Sequence, residues 1–457
     1  MSLSVIILAA GMGTRMRSAT PKVLHELAGR SLLGHALAAA EALAPDSVCV
    51  VYGHGGDQLR AAFKDRAYIK WREQAPQLGT GHAVMQARDT LSPGTALILY
   101  GDVPLIRPQS LAPLLQDAAA GALAVLTAEV EDPTGYGRIV RDQTGSVIAI
   151  VEEKDADAAT KKIREINSGI MAMPAPVLAG WLGRIDNKNA QAEYYLTDII
   201  ALAVADGVTI HSRKVAKIHE IKGINTRRQL AELERTVQRE SAEYWMDQGV
   251  TLSDPARFDI RGEVKIGRDV VIDVDVILEG KVEIGDNVRI GPFCLIKDAK
   301  IGDGAEIHSH CHIEGARIHA GCSVGPFARL RPDTVMHEGA KVGNFVEVKK
   351  SVIGEHSKAN HLSYIGDAEL GRDVNIGAGT ITCNYDGANK HKTVIEDGAF
   401  IGSDTQLVAP VRIGKDTTIG AGSTITKDTP AGGLTLSRVK QQHVAEWKRP
   451  QKNKDKG

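Results

Sequence analysis

Aromatic residues are scarce: Phe, Tyr and Trp make up 4% of a 457-residue chain that is long enough for two or more domains. Cysteine is equally sparse. The five, Cys49, Cys294, Cys311, Cys322 and Cys383, include no CxxC pair, which argues against a disulfide framework or a structural zinc site and fits a reducing compartment. Net charge is missing too. Lys and Arg number 55 against 56 Asp and Glu, so no general attraction to nucleic acid or to an acidic membrane is expected. No apolar run is long enough to span a bilayer, and the chain opens into an apolar strand pattern without a charged and then apolar leader. A cytoplasmic protein with no membrane insertion is expected. The tail "KRPQKNKDKG" is locally basic and reads as a solvated end.

Glycine, by contrast, is abundant, with 47 residues, and its use divides the chain. Over residues 1–226, short apolar runs ("SVIILAA", "SVCVVYG", "ALILYGD") alternate with helical patterns such as "SLLGHALAAAEALA". This order predicts an α/β, Rossmann-like domain with a mostly parallel sheet covered on both faces. Residues 227–249 carry no proline or internal glycine, and Leu230, Leu233 and Val237 keep helical spacing, which predicts a linker helix. From 250 to 457 the period becomes six. Ile266, Ile272, Leu278, Ile284, Ile290 and Ile296 are six apart, as are Ile395, Ile401, Leu407, Ile413, Ile419 and Ile425, several followed by glycine. One buried aliphatic and one small turn residue per hexad predict a parallel β-helix, whose narrow interior explains the shortage of aromatics. The stretch "TCNYDGANKHKT", residues 382–393, breaks the hexads and is expected to loop outward.

The loop "LAAGMGTRM" follows the first strand pattern, and its two glycines let backbone N–H groups converge on an anion. Met16 stands where a dinucleotide fingerprint has its third glycine, and no Walker Gly-Lys-Ser/Thr is present. Arg15 and Lys22 add two cations, more than a monophosphate needs, so a nucleoside triphosphate is the better reading. Asp102 ends "ALILYGD", where it is either a cation ligand or a strand-end cap. In "HSHCH", His308, His310 and His312 alternate. Three outward side chains of one strand face explain them better than a metal site, because no further ligand lies nearby.

In order, "LAAGMGTRM…PKVLH", "QLGTGHA", "LYGDVPL", "DPTGYGRI", "EIN", "EYYLTDII", "GPFARLRP", "GNFVEVKK", "HLSYIGD", "NIGAGTITCNYDG" and "GSDTQLVAP" resemble the bacterial bifunctional N-acetylglucosamine-1-phosphate uridyltransferase and glucosamine-1-phosphate N-acetyltransferase family. Eleven motifs over about 400 residues, from Leu8 to Pro410, make the resemblance specific. It implies a nucleotidyltransferase domain followed by a left-handed β-helix that moves acetyl from acetyl-CoA to glucosamine 1-phosphate. The first domain then joins N-acetylglucosamine 1-phosphate to UMP from UTP, releasing pyrophosphate.

The resemblance also implies roles. Asp102 and Asn225 hold Mg2+, and Arg15 and Lys22 neutralise phosphates during catalysis. Leu8, Ala9, Ala10 and Gly11 belong to the nucleotide loop, and Tyr100 and Gly101 flank Asp102. Gln74, Gly79 and Thr80 match the uracil contacts, while Gly137, Glu152 and Asn167 fall on the sugar side. In the second half His361 matches the general base, and Arg331, Lys349, Tyr364 and Asn375 match the sugar-phosphate ligands. Ala378, Asn384, Tyr385, Ser403, Ala421 and Arg438 match the acetyl-CoA contacts. The backbone amide near Tyr385 or Ala378 is the candidate oxyanion donor. Two positions depart from the family: Met12 replaces a frequent lysine and Asn360 a frequent glycine. Relatives assemble as homotrimers, with the acetyl site between subunits. The alternative is a sugar-1-phosphate nucleotidyltransferase whose β-helix only assembles it.

Overall fold

The computed structural model describes residues 2–450; the basic tail from Gln451 onward lies outside them. The chain divides into two compact units after Gln238. The first is built on β1 (Ser2–Ala9), β2 (Ser47–Tyr52), β3 (Ile69–Glu73), β4 (Gly94–Tyr100), β5 (Leu123–Glu129), β6 (Arg138–Arg141), β7 (Val147–Val151), β8 (Glu165–Pro174) and β9 (Ile210–Lys214). The main sheet runs β9-β5-β8-β4-β1-β2-β3, with the β6–β7 hairpin joined to β8. β1 pairs in parallel with β2 and β4, whereas β8 runs antiparallel to both β4 and β5.

Along β1, Val5 and Ile7 enter one core cluster while Ile6 and Leu8 enter the other. The strand is therefore buried on both faces, which is why its sequence is a continuous apolar run rather than an alternating one. β1 and β4 end side by side, and the Gly101 N–H donates to the Leu8 carbonyl at 2.9 Å. That pairing sets the "LAAGMGTRM" loop next to Asp102.

A helix spans Arg227–Asp247. Its start is a capping box. Gln229 Oε1 accepts from the Asn225 and Thr226 N–H groups, and Thr226 Oγ1 accepts from the Gln229 N–H. Leu230, Leu233 and Val237 pack with Leu27, Leu32 and Leu105 in the first unit. Further along, Ala242 belongs to the core of the second unit.

The second unit is a left-handed parallel β-helix, with strands arranged in an 11-stranded and a 17-stranded sheet of parallel pairs. Ile272, Ile290, Ile307, Val324 and Val342 stack in one column, coil upon coil, and all are buried. Of the twelve aliphatics identified by spacing, only Ile266 is not fully buried. Several coils are shorter than three hexads: partners in register stand 17 residues apart at Arg289–Glu306, Glu306–Ser323 and Lys341–Lys358, against 18 at Ser323–Lys341. Adjacent coils touch so closely that a Cβ on Gly402 would come within 2.5 Å of the Ala421 nitrogen.

The interruption after Ile381 is narrower than the sequence suggests. Thr382 and Thr393 lie in strands Ile381–Cys383 and Thr393–Ile395, so the excursion runs over residues 384–392. The "HSHCH" reading needs correction as well. His312 begins strand His312–Glu314, whereas His310 sits in a turn at φ 60° between the rings of Phe293 and Phe327, and His308 meets the Ser323 hydroxyl. The three do not share one strand face, because the β-helix turns a corner between them.

Candidate active sites

The first unit holds a cleft of about 410 Å³ at the carboxyl ends of its central strands. Leu8, Ala9, Ala10, Gly11, Lys22, Gln74, Gly79, Thr80, Tyr100 and Asp102 line it, so most of the first-unit candidates converge. Gly13 lets the loop close: its φ is 63°, and a Cβ there would lie 2.7 Å from the Lys22 Cβ. Lys22 Nζ reaches Asp102 Oδ2 at 2.5 Å and Asn225 Oδ1 at 3.0 Å. Asn225 is brought there by the Ile224 N–H, which donates to the Asp102 carbonyl at 2.9 Å, and by the Gln229 cap on its own N–H. One carboxylate and one amide oxygen therefore face a single positive charge, a donor set that suits a hard divalent cation.

Gln74 is buried, unlike an ordinary surface amide, and its amide nitrogen donates to the Gly79 carbonyl at 2.8 Å. The 78–81 segment is braced by 194–196: Gly81 N–H donates to the Tyr194 carbonyl, and Thr80 Oγ1 accepts from the Leu196 N–H. Among the candidates for the sugar, Asn167 N–H donates to the Gly137 carbonyl at 2.8 Å, and a Cβ on Gly137 would lie 3.4 Å from the Glu152 carboxylate. These three candidates form one wall. Thr197 donates to Glu152 at 3.2 Å, yet burial and the nearby Asp155 and Asp198 raise the Glu152 pKa above the usual carboxylate range. Tyr100 is pushed up as well, by burial first and then by Glu152 and Asp102.

Arg15 departs from expectation. It is exposed on the short turn Thr14–Met16 and does not line the cleft. Met12, at 71% exposure, does line it. Gln77 escaped the sequence reading: it lines the cleft and its amide donates to the Ala10 carbonyl at 2.5 Å.

In the second unit, strands Arg329–Leu330, Glu347–Lys349 and Tyr364–Gly366 are successive neighbours. Arg331 pairs with Glu347 at 2.9 Å, and Glu347 sits in register with Tyr364. The Lys390 ammonium beside Lys349, with Arg331 nearby, pushes the Lys349 pKa below the usual lysine range. Lys349 and Lys390 side by side, with Arg331 only partly offset by Glu347, repel one another, and a further anion would relieve that repulsion. Lys390 was not among the sequence candidates; it belongs to the 384–392 excursion, where Tyr385 and Lys390 form a backbone bridge. Asp386 braces that loop by accepting from the Ala388 and Asn389 N–H groups and pairing with His391. Tyr385 is exposed at the tip, but Asn384 turns inward, buried, and donates to Asp367 at 2.5 Å.

His361 ends strand Lys358–His361, and its Nδ1 lies 3.1 Å from Asn344 Oδ1 on the coil before. An amide oxygen only accepts, so Nδ1 carries the proton in this pairing, and Nε2 is the basic nitrogen of the neutral ring. Asn344 was also missed, although it stands 17 residues before His361, one coil length. Asn375 lies on the same sheet as His361, around a corner from Tyr364. Asn360 keeps an ordinary backbone, outside the left-handed region, so its side chain causes no strain there.

Four of the six acetyl-CoA candidates, Ala378, Ser403, Ala421 and Arg438, form a column. The Ala378 carbonyl accepts from Asp404 N–H, the Ser403 carbonyl from Gly422 N–H, and the Ala421 carbonyl from the Arg438 guanidinium at 3.1 Å. The Gly379 N–H donates to the Leu362 carbonyl, which ties the column to the coil of His361.

Residues 5–166 match the MobA-like NTP transferase domain, residues 260–336 the GMPPB C-terminal domain, and residues 392–427 the bacterial transferase hexapeptide of six repeats. A protein of Azoarcus sp. strain BH72 named bifunctional protein GlmU is 56% identical over 453 residues, covering 99% of this chain and 100% of the relative. Another of that name, from Methylococcus capsulatus strain Bath, is 57% identical over 454 residues, 99% of this chain and 98% of the relative. The chain belongs to the bifunctional GlmU family. GlmU relatives match from end to end, so both clusters described above lie within the shared sequence. Among the described residues no helix is long and apolar enough to cross a membrane.

Near the sugar wall, burial first and then Asp186 and Asp155 raise the pKa of Asp198 to about 6. The folded state thus holds the proton more tightly than the unfolded one, and the associated stability is present below the ordinary carboxylate range and lost as pH rises through 6. Asp198→Asn should raise the unfolding free energy of the first unit, read by urea titration, by about 1 kcal/mol at pH 7.5 after allowance for solvent screening, and leave it unchanged at pH 4. An equal gain at both pH values would contradict the assignment.

Proposed function

We propose that this chain carries out two consecutive transfers. In the second unit the amine of glucosamine 1-phosphate attacks the thioester carbonyl of acetyl-CoA. The C–N bond forms, the C–S bond breaks and coenzyme A leaves as its thiol. In the first unit a phosphate oxygen of N-acetylglucosamine 1-phosphate attacks the α-phosphorus of UTP. UDP-N-acetylglucosamine forms and pyrophosphate leaves.

The observation that carries the second activity is His361 held by Asn344, with Nε2 free, on the coil next to a three-cation patch; an assembly module needs neither. His361 Nε2 takes the proton from the attacking amine, and Arg331, Lys349 and Lys390 hold the 1-phosphate. Tyr364 and Asn375 orient the sugar, while Ala378, Asn384, Tyr385, Ser403, Ala421 and Arg438 bind the coenzyme. A backbone amide near Tyr385 or Ala378 faces the developing oxyanion.

In the first unit Gln74, Gly79 and Thr80 select the base, Gly137, Glu152 and Asn167 hold the sugar, and Lys22 draws off phosphate charge, with Arg15 joining it from the exposed turn beside the cleft once a triphosphate is bound. The loop Leu8, Ala9, Ala10 and Gly11 presents backbone to the triphosphate, with Tyr100 and Gly101 shaping the wall beside it. Mg2+ held by Asp102 and Asn225 supplies further charge neutralisation when bound. The chain works in the cytoplasm on small molecules, with no nucleic-acid partner. It assembles as a homotrimer. Supporting this, Phe293, Phe327 and Phe345 form an exposed ladder with His310 along one corner, 47–56% exposed for the three phenylalanines, an apolar strip suited to burial against a second copy.

His361→Ala should lower sugar-dependent coenzyme A release by about 10²–10⁴-fold and leave UDP-N-acetylglucosamine formation from supplied N-acetylglucosamine 1-phosphate intact. Asp102→Asn should do the reverse. Retained release in a folded His361→Ala protein would remove the general base. Sedimentation equilibrium should give three times the subunit mass of 48.9 kDa; a single species at one subunit mass would refute the trimer.

A further inference from the structure

We propose that Lys22 is a built-in counter-cation that occupies the divalent-metal position of the first unit and must leave it before metal binds. This rests on the nucleotidyl-transfer reading and deepens it. Lys22 Nζ is 2.5 Å from Asp102 Oδ2 and 3.0 Å from Asn225 Oδ1, the two oxygens assigned to the metal. The Lys22 side chain is only 8% exposed and that of Asp102 20%, so water screens the pair weakly. An ammonium and a divalent cation cannot both sit within 3 Å of the same two oxygens, because they repel and compete for the same lone pairs.

The Lys22 stem is held where its Cβ faces Gly13, and its Nζ lies 3.7 Å from the position a Cβ on Gly11 would take. The paired ammonium therefore already borders the loop proposed to face the triphosphate, within reach of an anion held there. With the cleft empty of nucleotide, Lys22 neutralises Asp102. With a triphosphate present, the lysine has a second anion to pair with and releases both oxygens. Metal and nucleotide binding are thereby coupled, each favouring the other. The protein avoids a bare carboxylate in the resting state and holds metal weakly until the nucleotide arrives.

The test is Mn2+ binding to the nucleotide-free full-length protein, followed by electron paramagnetic resonance, which reads the metal and not activity. Mn2+ suits the same hard oxygen donors. Lys22→Met should bind one Mn2+ at least about tenfold more tightly than wild type, and adding Asp102→Asn should abolish that site. Lys22→Gln serves as the second variant should Lys22→Met fail to fold. Equal or weaker binding in the lysine variants, with an Asp102-dependent site still present, would overturn the counter-cation and leave the metal assignment standing. Absence of any Asp102-dependent site, in wild type and variants alike, would overturn both.

Discussion

The register between successive coils of the β-helix is the constraint on which the second unit depends. Each coil gives N–H groups to carbonyls of the next, so that residues in register stand 17 or 18 apart, and small residues such as Gly402 let the backbones close to that distance. Once the register is set, residues far apart in sequence become vertical neighbours. Ala378, Ser403, Ala421 and Arg438 form a column for no other reason, and Asn344 meets His361 because one coil separates them. A single excursion, residues 384–392, lengthens the interval to 25 and leaves Lys390 beside Lys349. The chemistry of this unit thus arises from a rigid repeat and one departure from it.

The first unit solves a different problem, that of gathering charge without a repeat. Its central strands are buried on both faces and end together, so the loop after β1 and the aspartate after β4 become neighbours. Asn225 arrives from more than a hundred residues away, fixed by the Ile224 bond to Asp102 and by the capping box that starts the helix Arg227–Asp247. The helix cap is therefore part of the site's support: it holds Asn225 beside Asp102 while satisfying the helix's own N–H groups.

Much of this was legible beforehand, and the exceptions have physical reasons. Apolar runs and hexads declared the two fold types, because a strand buried on both faces and a narrow β-helix each leave a period in the sequence. The hexads faded in the middle because coils of 17 residues are not multiples of six. Motif resemblance supplied the candidates, and geometry then sorted them: Gln74, Gly79, Thr80, Lys22, Asp102 and Asn225 converge, whereas Arg15 stays exposed and Asn384 turns inward. Gln77, Asn344 and Lys390 carried no local signal. Their importance lies in partners 67 residues away, one coil below or across a loop, and no window of sequence shows such contacts.

On the proposed function the two sites handle phosphate by different means, side-chain cations in the second unit and side-chain cations together with a divalent metal in the first. The most direct test of that division is to assay both transfers on one preparation while EDTA is titrated in and Mg2+ is then restored. The account predicts that UDP-N-acetylglucosamine formation collapses and recovers with the metal, while coenzyme A release driven by glucosamine 1-phosphate holds steady throughout. Loss of both activities together, or of neither, would contradict it.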